Sequence, residues 1–139
     1  MPPFLRSILA VLLGIVVGML VVMAGDALVG RLFPLAPGVD PNDPTSLAQA
    51  IAAMPIAALL MLLVGWVTAA AVGAGVAARL ARRAPVPHGL IVAAIILAAT
   101  VANLILIPHP TWMLPAACVL IPVAGWVGVR LATRRAPRA

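Results

Sequence analysis

Charged side chains are scarce in this sequence, at 9% of 139 residues, whereas apolar residues make up 65% of it. Soluble proteins have about 25% charged and roughly 45–50% apolar residues. Lysine is absent, and the three acidic residues are all aspartates. The mean hydropathy of +1.22 points the same way. We therefore expect one integral membrane domain over residues 1–139 and no soluble domain.

Catalytic and metal-binding groups are equally sparse. The one cysteine, Cys118, excludes an intrachain disulfide and a thiol-based metal site, and its apolar neighbours predict a small buried side chain. Two histidines and three aspartates form no Ser-His-Asp set, metal-ligand spacing or phosphate-binding glycine loop. We expect no catalytic residues, no cofactor and no metal. The net charge of +6 is spread over several helix ends, which argues against a nucleic-acid partner.

Long apolar runs are what the sequence has instead. A helix needs about 20 apolar residues to cross the hydrocarbon core of a bilayer. Four runs meet this length or approach it, and they predict an all-α bundle of four transmembrane helices at about 7–33, 51–78, 89–107 and 113–129. The connections are then an outer loop at 34–50, a cytoplasmic loop at 79–88 and a cytoplasmic tail at 130–139. The first run is longer than the apolar core of a typical signal peptide, so we expect it to stay uncleaved.

The arginines predict the orientation. If the four helices alternate in direction, eight of the nine arginines fall on one side, and only Arg31 falls on the other. Basic residues favour the cytoplasmic side, so both termini are expected in the cytoplasm of a bacterial inner-membrane protein. The eight residues are Arg6, Arg79, Arg82, Arg83, Arg130, Arg134, Arg135 and Arg138.

The two outer connections differ in character. The first contains four prolines between Pro34 and Thr45 and is expected to be extended and turn-rich. Ser46 followed by Gln49 has the form of a capping box and predicts a short interfacial helix before Pro55. The second connection is a tight turn at 108–112, whose Trp112 is expected to anchor the protein at the outer interface.

An internal repeat links the second and fourth predicted helices. Residues 55–67 and 115–127 are identical at six of thirteen positions, including Trp66 and Trp126. Both helices also end in similar arginine-rich segments, at 79–85 and 130–137. Because both run from outside to inside, the repeat predicts two parallel helical hairpins, and an inverted-repeat transporter is excluded.

Three polar residues form the candidate site. Asp26 lies near the outer end of the first helix, and Asn103 lies at a similar depth on the third, so the two are expected to face each other. An ionised carboxylate is costly inside a membrane and marks functional sites. His109 lies at the outer surface between two prolines. The structural alternatives are an Asp26 paired with Arg31 or the outer loop, an Asn103 that only joins helices, and a solvated His109.

Small residues at four-residue spacing predict close helix packing. Gly14 and Gly18 form one such pair on the first helix. Two interleaved pairs lie on the second, namely Ala69 with Gly73 and Ala71 with Gly75. Such faces pack either within one bundle or against a second copy or a larger membrane complex.

The layout also resembles a family of short, uncharacterised bacterial membrane proteins with four helices. The resemblance rests on the Pro-rich outer loop containing Pro37-Gly38-Val39-Asp40 and on the turn Pro108-His109-Pro110-Thr111-Trp112 after Ala102-Asn103. It implies the same topology and no particular activity.

These observations favour a non-catalytic accessory or structural subunit, embedded in lipid and packed against itself or a larger complex. The alternatives are a small-solute or ion transporter or channel that uses Asp26, Asn103 and His109, and a lipid-binding protein. Whether Asp26 and Asn103 converge on a cavity or face packed neighbours distinguishes the transporter from the structural subunit.

Overall fold

The computed structural model describes residues 2–81 and 83–134, and within these ranges all regular structure is helical. Four helices are long and apolar enough to cross a membrane, and the fifth is a short helix between the first two of them. The predicted all-α bundle of four long helices is confirmed. The helices are α1 (Pro3–Leu32), α2 (Pro44–Ala52), α3 (Ile56–Leu80), α4 (Pro85–Leu106) and α5 (Met113–Arg134).

The four long helices alternate in direction, so the bundle has two chemically different ends. The basic end, where α1 and α4 begin and α3 and α5 end, carries Arg6, Arg79, Arg83, Arg130 and Arg134. There the Arg6 Nε donates a hydrogen bond to the Leu80 carbonyl oxygen at 2.9 Å. The acidic end carries α2, the loop with Asp40 and Asp43, and the turn between α4 and α5. Arg82, Arg135 and Arg138 lie outside the described residues.

Several helix boundaries differ from those expected. Helix α4 begins at Pro85 rather than 89, because proline is tolerated in a first helical turn. His88 consequently lies in that turn, where its Nδ1–H donates to the Ala84 carbonyl oxygen at 2.7 Å. Helix α5 continues to Arg134, into the segment expected as a tail, because arginine favours helix and its long side chain reaches water.

Helix α2 occupies most of the second half of the predicted outer loop, and its cap was predicted wrongly. The capping residue is Asp43, whose carboxylate accepts hydrogen bonds from the Thr45 and Ser46 backbone N–H groups. Pro44 follows at the first helical position, where its missing N–H costs nothing. The Ser46 hydroxyl instead accepts the Asp40 backbone N–H at 3.2 Å, which ties the loop to the helix.

Helix α3 lies at the centre and packs against α1, α4 and α5. Its contact with α1 is a glycine-lined seam in which backbones touch. A Cβ added at Gly14 would lie 2.7 Å from the Gly73 carbonyl oxygen, so no larger residue fits without moving a backbone. We call this contact the α1–α3 seam; it consists of Gly14, Gly18 and Gly25 on α1 and Gly65, Ala69 and Gly73 on α3.

The second interleaved pair on α3 faces a different helix. A Cβ added at Gly75 would lie 3.2 Å from the Gly128 carbonyl oxygen of α5, and Gly128 lies against the Ala71 backbone. The Ala69–Gly73 face therefore packs on α1, while the Ala71–Gly75 face packs on α5. All the predicted small-residue faces are used inside this one chain.

The two halves of the internal repeat run in the same direction but have different surroundings. Trp66 is 5% exposed at the centre of the bundle, whereas its counterpart Trp126 is 48% exposed on the surface of α5. Helix α3 also packs on α4, while no comparable contact joins α1 and α5 among the described residues. The sequence repeat is thus not matched by equivalent packing of the two hairpins.

Candidate functional site

The site lies where α1 and α4 separate. Near the basic end these two parallel helices are in close contact, since a Cβ added at Gly14 or Gly18 would lie 3.0 Å from Val92 or 2.8 Å from Ile96. Towards the acidic end, the same face of α1 continues with Val22 and Asp26 at the same four-residue spacing. These larger side chains replace glycine and hold the helices apart, which opens a cavity.

This cavity has a volume of about 190 Å³, below the roughly 300–1,000 Å³ of typical ligand pockets but well above the space that one water needs. It is therefore suited to a small solute. Its wall combines apolar residues from α1 and α4 with polar residues from three helices. The lining residues are Met19, Val22, Asp26, Trp66, Ile96, Ala99, Thr100 and Asn103.

Asp26 is the charged group of the cavity, and its neighbour is not the one expected. Its carboxyl group lies beside the indole of Trp66 on α3. The alternative pairing with Arg31 does not fit, because the two residues are five positions apart on one helix and point to different sides. No cationic side chain lines the cavity beside this carboxyl group.

Two neutral polar side chains face Asp26 from α4. Asn103 lies at the depth predicted from the sequence and lines the same cavity, together with the buried Thr100. The hydroxyls of Thr68 and Thr133 donate to carbonyl oxygens one turn earlier, at 2.7 and 3.0 Å. Neither Thr100 nor Asn103 makes a side-chain hydrogen bond within residues 2–81 and 83–134. Their polar atoms are free to bind a solute.

His109 reaches the site only through Trp66. The two rings meet edge to face, with centroids 6.0 Å apart and planes at 69°. The His109 Nδ1 lies 2.6 Å from the Ile107 carbonyl oxygen, which can only accept, so Nδ1–H donates this hydrogen bond. The structure thus places Asp26 and Asn103 on the wall of one cavity and His109 behind Trp66, where it packs against the indole.

The cavity opens sideways, between α1 and α4. Met19 is 44% exposed at its rim, and Asp26 and Ala99 are also exposed there. Asp26 lies twenty residues beyond Arg6, about 30 Å along the helix and thus one hydrocarbon thickness. If the level of Arg6 marks one surface of the hydrocarbon core, Asp26 lies near the level of the other.

The chemistry of the lining favours a small organic cation. It offers one carboxylate, an amide and a hydroxyl that can accept hydrogen bonds, and an indole beside the carboxylate. The carboxylate supplies a complementary charge for such an ion, and the amide and hydroxyl oxygens supply acceptors for its N–H groups. A coordinated metal is less suited, since no group of three metal-ligating side chains gathers anywhere in the described residues.

Trp66 and Thr100 are the site residues that the sequence did not indicate. Both lie within apolar runs, where the side chains that face the bundle and those that face lipid look alike. The expected interfacial anchor, Trp112, lies in the turn between α4 and α5 and is partly buried against the core. Cys118, expected to be buried, is exposed on the outer surface of α5.

A second cavity, of about 420 Å³, lies at the acidic end between the outer loop and the α2–α3 connection. All of its lining side chains are apolar, so the polar groups it offers are those of the backbone. It is formed by Leu32, Phe33, Pro34, Leu35, Ala36, Ala50, Ala53, Met54 and Pro55.

Comparison with known proteins assigns no family. No protein-family model matches the chain, and comparisons with curated proteins and with solved structures likewise gave no match. The resemblance to short four-helix bacterial proteins stays a prediction.

Proposed function

We propose that this protein is a non-catalytic small-solute transporter of a bacterial inner membrane, with the basic end in the cytoplasm and a binding cavity for a small organic cation near the outer surface. The observation that carries the proposal is the convergence of Asp26, Thr100 and Asn103 on one cavity. Side chains that served only to join helices would face packed neighbours instead.

The position of Asp26 near the end of α1 lowers the cost of an ionised carboxylate. A carboxylate at the centre of a bilayer costs up to about 2.5–3.5 kcal/mol, and this cost falls close to the headgroups. Near the outer boundary, the carboxylate attracts a cation without needing an internal counter-ion. Asn103 and Thr100 then provide acceptors for the N–H groups of a bound ammonium ion.

The packing below the cavity supports a transporter rather than an open channel. Gly14, Gly73 and Val92 are in contact at the next level towards the basic end, with a Cβ added at Gly73 only 3.2 Å from Val92. A solute in the cavity has no open route through this layer. Transport would require α4 to move away from α1.

Ligand binding can be measured through Trp66 itself. A variant in which Trp112 and Trp126 are replaced by phenylalanine leaves Trp66 as the only tryptophan. Methylammonium and dimethylammonium ions, which carry N–H donors, are the cationic probes, and ethanol is a neutral probe of similar size. We expect the cations to change the Trp66 fluorescence in a saturable manner and the alcohol to have no such effect.

The matched pair of variants for this assay is Asp26→Asn and Asp40→Asn. Both remove one carboxylate near the same end, but Asp40 lies in the outer loop, where its carboxylate accepts the Asn42 backbone N–H at 2.8 Å. A charged hydrogen-bonding group contributes about 1.5–3 kcal/mol, so Asp26→Asn should weaken cation binding about ten- to hundredfold and abolish flux in proteoliposomes. Equal binding or flux in both variants would overturn the proposal.

An accessory subunit of a larger membrane complex is the second candidate. The small-residue faces, which favoured such a subunit in the sequence, pack inside this chain and so give it less support. The observation that favours it is the exposure of α1, of whose 30 residues only Ala10, Gly14, Gly18 and Val29 are buried. Gentle extraction from the native membrane, followed by mass determination, would reveal a stoichiometric partner if there is one.

A further inference from the structure

The membrane-facing surface of α5 carries a row of exposed side chains that changes from apolar to cationic along the helix. The proposed transport site does not use it. Val119, Val123, Trp126, Arg130 and Arg134 recur at three- and four-residue intervals and therefore share one face of the helix. All five are exposed, with Val119 at 62% and Val123 at 54%. The stripe is apolar in the middle of the bundle, aromatic further along and cationic at the basic end. We call it the α5 stripe.

No aspartate lies near the arginines of this stripe in the part of the chain that the structure describes. The three acidic residues are Asp26, Asp40 and Asp43, and all of them lie towards the opposite end. The Arg130 guanidinium instead stacks over the Trp126 ring, with its Cζ 4.7 Å from the ring centroid. This contact fixes the guanidinium at the surface of the helix and leaves its N–H groups free for an external anion.

We infer that the α5 stripe is a binding site for one anionic phospholipid of the leaflet at the basic end. The two arginines would bind the headgroup phosphate, Trp126 would contact the glycerol region, and an acyl chain would lie along Val123 and Val119. The dimensions agree, because Val119 and Trp126 are about 10 Å apart along the helix and one leaflet of hydrocarbon is about 15 Å thick.

Charge and shape both favour a lipid over a free anion. Guanidinium groups bind phosphate oxygens in a bidentate manner, and basic residues at the membrane surface attract anionic lipids. A free phosphate would satisfy Arg130 and Arg134 but would leave the apolar part of the stripe without a specific role. The inference therefore commits to a phospholipid and is independent of the outer cavity.

The test uses purified protein reconstituted in nanodiscs with equal amounts of phosphatidylglycerol and phosphatidylcholine. The protein is then released into mild detergent, and the lipids that remain bound are counted by native mass spectrometry. We expect phosphatidylglycerol to be retained in preference to phosphatidylcholine. The double variant Arg130→Gln/Arg134→Gln should lose this preference, at about fivefold per arginine.

Three controls make the result specific. Arg31→Gln removes the same charge at the acidic end and should leave the preference unchanged. Arg130→Lys/Arg134→Lys keeps the charges and should keep most of the preference, and Trp126→Leu should reduce it without altering charge. If the double glutamine variant loses helical content, Trp126→Leu and the single Arg134→Gln variant provide the test.

Two results would overturn the inference. One is an equal loss of phosphatidylglycerol in Arg31→Gln, which would show that the lipid preference depends only on the net charge of the protein. The other is displacement of the lipid by millimolar inorganic phosphate, which would identify the site as one for free phosphate.

Discussion

His109 packs against Trp66 in an edge-to-face arrangement, with ring centroids 6.0 Å apart. Trp66 in turn lies beside the Asp26 carboxyl group at the cavity wall. His109 itself does not line the cavity. A residue from the turn between α4 and α5 thereby positions the indole that faces the carboxylate on α1. The turn is part of the site although no solute would touch it.

His109→Ala should weaken the binding of dimethylammonium without removing any group from the cavity wall. Aromatic pairs contribute about 0.5–1.5 kcal/mol beyond their buried area, so we expect a two- to tenfold rise in Kd by isothermal titration calorimetry. His88→Ala removes the other histidine, at the basic end, and should leave Kd unchanged. An unaltered Kd in His109→Ala would show that Trp66 is positioned without its neighbour.

Gly73→Ala should destabilise the bundle. The new methyl group would lie 2.7 Å from the Gly14 carbonyl oxygen, so α1 and α3 would have to separate. Overpacking of this kind costs about 1–3 kcal/mol. Gly30→Ala is the control, because a Cβ there meets nothing within 4 Å; it should change stability by less than about 1 kcal/mol, in the stabilising direction. Reversible unfolding in mixed detergent micelles measures both.

Asp43→Ala should loosen α2 while leaving the four long helices intact. It removes the carboxylate that caps the Thr45 and Ser46 N–H groups, which costs about 1 kcal/mol. Amide hydrogen exchange should accelerate over residues 44–52 and stay unchanged over α3. Asp40→Ala, which removes a carboxylate from the same loop but not from the cap, should have a smaller effect on α2.

The proposed orientation predicts which residues an impermeant thiol reagent can reach. In a Cys118→Ser background, Asn42→Cys at the acidic end should be labelled on intact cells, and Val86→Cys at the basic end only in inverted membrane vesicles. Both positions are exposed, so accessibility reports the side of the membrane rather than burial. The reverse pattern would place the basic end outside.

The membrane-spanning helices were predictable because the thickness of the hydrocarbon core sets a minimum length for an apolar run that crosses it. The shared depth of Asp26 and Asn103 followed from their similar distances to the outer ends of two parallel helices. Helix ends were less predictable. Pro85 and Arg134 are compatible both with a helix and with a loop, and only packing decides between them.

The direction in which each side chain points was the main unpredictable quantity. Trp66 and Trp126 occupy equivalent positions in the repeat, yet one is 5% exposed and the other 48%. Apolar character cannot separate them, because lipid and protein interior are equally apolar. Likewise, the small residues of α3 indicated close packing, but nothing in their spacing showed which neighbour each pair would meet.

The α1–α3 seam has a mechanical consequence. With backbone against backbone at Gly14 and Gly73, these two helices have no flexible side chains between them that could adjust to a sliding or rotating motion. They should move as one stiff hairpin. The start of α4 also packs against a backbone, since a Cβ added at Gly89 would lie 2.8 Å from the Ala74 carbonyl oxygen of α3. The compliant part of the protein is then the later half of α4, which meets α1 through the side chain of Ile96. Any widening of the cavity would originate there, while the glycine-joined pair acts as the fixed frame.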